Sequence, residues 1–470
     1  MRTAWLLAVS WAIRVALCIG GGQLYWSDEH RYSHTYRVLR HLASLHPGRA
    51  LDALFGMPIH IGFVVMALPA AAVHAAAVRL SGGPMTWSHF VDTMWIPAAV
   101  LSLYSVLNIW LVGRLADRVG AGEGEAFLAM FLMACCNSMF YWSRHLMPYD
   151  ASLTLCLMGL WIGLTPYPTW WTPVWCGCVL GCGFLTHYGS WPMVGACALG
   201  HAMYEDRDFM TASRKLASIA LGAAIPVGIL TWASMARGID PFPVLVLRFF
   251  VGQHGDMFGD YSEAWSLPWA YLWNAETGML VALVIGTLTG TLILTDSRRK
   301  WLWPWMAFGV YALIVMGAAA HVGCAFGRQA RTMVPFLCLG GAFGGYRLSE
   351  QMQKSWKTVY ALFIMAMFAG NAYAPLRQWF PYDVRKSVHV EFDEAVTLRV
   401  QGIKLRNHGL PTLVVNTCDF YPVLERLPRP WGQVKAKYMH PLSWAPYQYE
   451  GYKPDERERL KGLAMWVMRR

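Results

Sequence analysis

Apolar runs recur along this chain at close to the length that crosses a bilayer, and that recurrence constrains the fold more than any other feature. A transmembrane helix needs about 20 predominantly apolar residues. Runs that meet or approach this lie near 4-24, 93-113, 126-142, 150-166, 173-189, 190-204, 215-236, 268-294, 302-321, 332-347 and 358-375. Counted as helices, they give a polytopic α-helical protein of about 11 spans. Only 14% of the 470 residues are charged, against about 25% in soluble domains. The net charge of +11 is carried by Lys and Arg in short loops between apolar runs, which is where membrane insertion leaves them. The excess therefore reads as topology, with an anionic lipid or phosphate as partner and no nucleic acid. The cysteines fall mostly inside apolar runs, Cys176, Cys178 and Cys182 among them, and read as buried packing rather than as zinc ligands.

The run from Ile59 to Leu80 is long enough to cross, yet counting it reverses every later loop. If it crosses, the loops with Arg114 and Arg118, Arg298 to Lys300, and Lys354 and Lys357 lie outside, against the positive-inside bias. Read as an interfacial or re-entrant element, interrupted by Pro58, Pro69 and His74, it leaves them all inside. The amino terminus is then cytoplasmic, in a cell (inner) membrane. The outer face receives a first loop (25-92), turns near 143-149 and 322-331, a loop at 237-267 and the tail. After Leu376 the composition turns polar and Pro-rich. A helical pattern over 391-407 leads to the apolar strand Thr412 to Asn416, predicting a small outer-face α/β domain over 376-470 beside the membrane domain 1-375.

Polar residues with chemical capacity collect at the outer boundaries. Asp28 and Glu29 follow the first span and precede a stretch in which Tyr32, Tyr36, Leu39 and Leu42 recur at helical spacing, as in an interfacial amphipathic helix. The two acids either cap that helix or present carboxylates at the membrane surface. Asp150 opens the fourth span, where a cap is again the plain alternative. His187 ends the fifth. Arg328 and Arg331 open a late span at i and i+3, sharing one helix face, and guanidinium forks suit phosphate oxygens. Arg14, inside the first run, either snorkels to the interface or faces something functional. Asp28 and Glu29 with His30 and His34 also offer ligands for a divalent metal, although nothing in the sequence requires one.

Taken in order, these residues resemble the GT-C class of membrane glycosyltransferases that use polyprenyl-phosphate sugars. The nearest likeness is to the bacterial protein O-mannosyltransferase-like proteins, which include the lipid A aminoarabinose transferase. Asp28-Glu29 after the first span carries the resemblance, with Ser143-Arg144 through Pro148-Tyr149-Asp150 and the glycine-rich span of Gly177, Gly181 and Gly183 that closes Leu185-Thr186-His187-Tyr188. Arg331 with Pro335 completes it. His187 stands where the family usually has Lys, Thr332 where it has Tyr, and Met57-Pro58 where Pro-Pro is typical. The resemblance spans about residues 1-375 and implies a GT-C-like fold that catalyses inverting transfer from a polyprenyl-phosphate sugar to a lipid, glycan or protein acceptor. Asp28 would be the general base, supported by Glu29 and Asp150. Arg328, Arg331, His187 and Arg144 would face the donor phosphate. The rival expectation is a transporter or flippase of a lipid-linked or anionic substrate, which calls for ionisable residues near mid-membrane and repeated broken helices. The acids here cluster at one surface instead.

Overall fold

The computed structural model describes residues 2-19, 23, 27-82, 93-203, 208-248, 272, 276, 279-288, 331-352, 364, 366, 370, 414-415 and 446-447. Its helices are α1 (Arg2–Ile19), α2 (Ser33–Ala43), α3 (Pro47–Phe55), α4 (Ile61–Met66), α5 (Leu68–Leu80), α6 (Trp95–Arg118) and α7 (Glu123–Cys135). They continue with α8 (Asn137–Trp142), α9 (Tyr149–Gly163), α10 (Thr172–Thr186), α11 (Trp191–Ala202), α12 (Phe209–Ala236), α13 (Met279–Leu288) and α14 (Val334–Gln351). Among the described residues three helices, α1, α6 and α12, are long and apolar enough to cross a membrane. The shorter α9 lies over the expected 150-166 span, and burial explains how it can be short. Its 15 residues rise only about 22 Å, but most of them are buried against α6, α10 and α11 and need not face lipid along their length. Of the expected spans, 302-321 lies outside the described residues, as does most of 268-294 and of 358-375.

Glycine sets the closest helix crossing. A Cβ on Gly177 of α10 would stand 2.0 Å from the carbonyl oxygen of Ile219, and one on Gly222 of α12 would stand 2.0 Å from that of Val174. The two backbones therefore touch, as small residues allow where lipid supplies no hydrophobic drive. Gly62 does the same for α4, where a Cβ would come within 2.8 Å of Thr186 Cα. That approach carries the turn before α4 onto the end of α10.

The stretch from 59 to 80 forms no single long helix. Pro58 opens a 3-10 turn to His60, α4 follows, and Pro69 sits in the first turn of α5. The α3 and Pro58–Met66 segments are bent by 95°, and the 13 residues of α5 rise only about 20 Å. His74 does not interrupt α5 as the sequence suggested. It is buried within the helix, bonded through Nδ1 to the Tyr36 hydroxyl of α2 and through Nε2 to Thr93 Oγ1 at 2.9 Å. Burial pushes the Tyr32 and Tyr36 phenols well up, so neither ionises near neutral pH. On the exposed side, Arg237 after α12 holds Asp52 of α3 through two hydrogen bonds of 2.9 and 2.8 Å.

In the carboxy-terminal region Val414–Val415 pairs antiparallel with Pro446–Tyr447. The first pair lies inside the expected strand, and the 391-407 helix lies outside the described residues.

Candidate functional site

Five separate stretches converge here, beginning with the turn Ser27–Tyr32. It is a 3-10 turn, and α2 starts only at Ser33 with Tyr32 at its N-cap and no side-chain cap bond. Capping is therefore not what Glu29 does. Its carboxylate is fully buried and accepts the Leu146 N–H, 117 residues away, at 2.7 Å. The other oxygen lies 3.3 Å from His145 Nδ1. His145 Nε2 in turn accepts Arg144 Nε at 3.3 Å. A ring nitrogen that accepts leaves the proton on its partner, so His145 carries its proton on Nδ1, the nitrogen beside the carboxylate. Asp28 lies in the same turn.

The segment from α8 to α9 is pinned at both ends by buried carboxylates. At its start Glu276 accepts the N–H groups of Asn137 (3.0 Å) and Ser138 (2.8 Å) and the Ser138 hydroxyl (2.5 Å), an anion where a helix N-terminus favours one. Near its end stands Glu29. Between them Gln23 Nε2 donates to the carbonyls of Cys18 (3.0 Å) and Arg144 (3.1 Å), tying this segment to the end of α1.

Asp150 was also open to a capping role, and it too does something else. The N-cap of α9 is Pro148, without a side-chain cap bond, while the Asp150 carboxylate accepts from Arg331 Nη2. Arg331 leads into α14 through a 3-10 turn. Its side chain is 2% exposed, with Cζ 5.4 Å from the centre of the Tyr149 ring. Nη1 is buried and has no hydrogen-bond partner among the described residues. The Asp150 carbonyl is held by Asn108 Nδ2 (3.1 Å) and Thr154 Oγ1 (2.8 Å).

His187 ends α10 in extended backbone and packs between two rings. The His60 ring lies 5.9 Å away at 20°, and the Tyr149 ring 4.9 Å away at 73°. Arg31 Nη1 donates to His60 Nε2 at 2.8 Å. The Tyr188 hydroxyl donates to the Pro58 carbonyl at 3.1 Å, fixing the turn that carries His60. Rings and guanidinium groups thus run without a break from Arg31 through His60, His187 and Tyr149 to Arg331 and Asp150.

Of the residues expected to act, Glu29, Arg144, Asp150, His187 and Arg331 fall in this region, and Arg328 lies outside the described residues. Sequence reasoning missed Arg31, His60 and Glu276. Arg31 had a signal, its place in the turn of Asp28; His60 and Glu276 had none. Arg14 does not snorkel: it is buried, with Nε bonded to Ser105 Oγ at 2.9 Å and Nη1 to the Ser10 carbonyl at 3.0 Å. Among the described residues no three His, Cys, Asp or Glu side chains are grouped to hold a metal ion.

No protein-family model matches the chain, and no curated protein matches it. Solved structures that align with it include the oligosaccharyltransferase AglB of Archaeoglobus fulgidus. With an inhibitory peptide and a dolichol-phosphate bound, it aligns at 13% identity and a TM-score of 0.45 over 81% of this chain and 56% of that one. Tethered to an acceptor peptide it aligns at 12% and 0.46 over 99% and 63%, and in the apo form at 14% and 0.46 over 99% and 64%. This chain thus spans less than two thirds of the length of these proteins.

Proposed function

We propose that this chain is an inverting glycosyltransferase of GT-C type. It would move a sugar from a polyprenyl-phosphate donor to a lipid, glycan or protein acceptor on the outer face of the membrane. The observation that carries the reading is Arg331, a buried guanidinium whose one end is neutralised by Asp150 while Nη1 has no hydrogen-bond partner among the described residues. A desolvated fork with donors to spare suits a phosphate oxygen. It would also stabilise the charge that develops on a departing phosphate. Arg144 and His187 stand in the same region, and Arg328 would join them.

The base would be Asp28. Glu29 is spoken for by the Leu146 N–H and His145, so it positions the 143-150 segment, which leaves its neighbour to take the acceptor proton. The donor reaches this depth because a long isoprenoid gains about 0.8 kcal/mol per buried CH₂. The reading is tested by thermal unfolding with added polyprenyl phosphate. Wild type should unfold at a higher temperature with the lipid, and Arg331→Ala should show much less of that shift; an equal shift in both would place the phosphate elsewhere.

A further inference from the structure

The groups behind the two rings that flank His187 decide where charge can reside. A guanidinium only donates, so the Arg31 bond to His60 Nε2 leaves the His60 proton on Nδ1 and the ring neutral. A second proton on His60 would break that bond and set two cations side by side. Across the stack, Tyr149 faces His187 with Arg331 and Asp150 behind it. Where α4 meets the end of α10, Gly62 lies against Thr186, a neutral contact. His187 thus stacks on a ring that Arg31 holds neutral and, across Tyr149, stands near the Arg331–Asp150 pair; a bound phosphate would bring the anion that favours its charged form.

We infer that His187 is a proton-linked phosphate ligand: it takes up a proton as the bound phosphate passes from diester to monoester, with Arg31 and His60 as its positioning residues. The inference rests on the proposed transfer. In that reaction the bond from the anomeric carbon to the phosphate oxygen breaks, and its electron pair stays on oxygen. The acceptor oxygen bonds the carbon, and the acceptor proton leaves through Asp28. Phosphate goes from one negative charge to two, and one proton is set free per turnover. An imidazolium offsets the new charge, its proton coming from solvent or from the proton released. A monoester has its second pKa near about 6 and histidine its own near about 6.5, so an adjacent dianion extends the charged range of His187 above neutrality. The product lipid phosphate is then held more tightly at low pH and released more readily as pH rises.

The test uses the full chain in detergent micelles, with a short-chain prenyl monophosphate and its methyl diester as probes. Wild type should bind the monophosphate on the order of tenfold more tightly at pH 6 than at pH 8.5, against the trend set by the ligand's own ionisation, and the diester should change less. His187→Lys, which stays charged, should bind tightly at both pH values. Arg31→Gln should shift the pH midpoint, and Arg31→Lys should restore it. On wild type alone, titration at pH 7.5 in two buffers of different ionisation enthalpy should show proton uptake with the monophosphate. Equal pH dependence in wild type and His187→Lys, or no uptake, overturns the inference while leaving the transferase reading in place. If wild type binds neither probe at any pH, the lipid-phosphate reading itself fails.

Discussion

Asp150 and Arg331 show how a site residue can be visible in a sequence while its partner is not. Each stood out as a charge at a membrane boundary, but they are 181 residues apart and no periodicity links them. Their pairing changes what substitutions should do. Removing one partner of a buried pair leaves the other charge uncompensated and costs about 3-5 kcal/mol, so Arg331→Ala should lower the unfolding temperature as well as any activity. In the double variant Asp150→Asn with Arg331→Met no charge is stranded. Thermal midpoints should then recover most of the way to wild type while sugar transfer stays lost. Recovery of both would make the pair structural only, and recovery of neither would mean that the two residues act separately. Glu29 carries the same lesson: a carboxylate after a span suggests a cap, and only the folded chain brings it to the Leu146 N–H.

At the scale of elements most of the described helices lie on apolar runs, because burial and lipid both require apolar length. The runs did not foretell which helices are short. Helix α9 ends early because protein surrounds it, and the 59-80 stretch divides where Pro58 and Pro69 start new turns. Glycine content marked α10 by resemblance, and the reason for it is contact with α12. Two glycines of α12 separate packing from propensity. Gly222→Ala drives a Cβ to 2.0 Å from the Val174 carbonyl oxygen, whereas Gly228 has nothing within 4 Å. Unfolding in detergent should show Gly222→Ala destabilised by about 1-3 kcal/mol, as overpacking is. Gly228→Ala should be neutral, or more stable by about 0.5-1 kcal/mol as helix propensity dictates. Equal effects would mean that the crossing is looser than described.

For the whole molecule, the orientation proposed from Lys and Arg parity would put residues 25-92 and the 376-470 region on the same outer side. Single cysteines at Pro84 and His440, in a background with the native cysteines replaced, should both react with a membrane-impermeant maleimide applied from outside; protection of either would reverse the topology. Chemistry on that face is the central claim, and sugar transfer itself tests it most directly. In proteoliposomes holding a radiolabelled polyprenyl-phosphate sugar and a lipid extract as acceptor, wild type should move label to the acceptor on the outer side. Asp28→Asn, equally folded, should be slower by a factor on the order of 10² or more. Label that only crosses the bilayer with its lipid phosphate still attached, or transfer at the same rate by Asp28→Asn, would contradict the account.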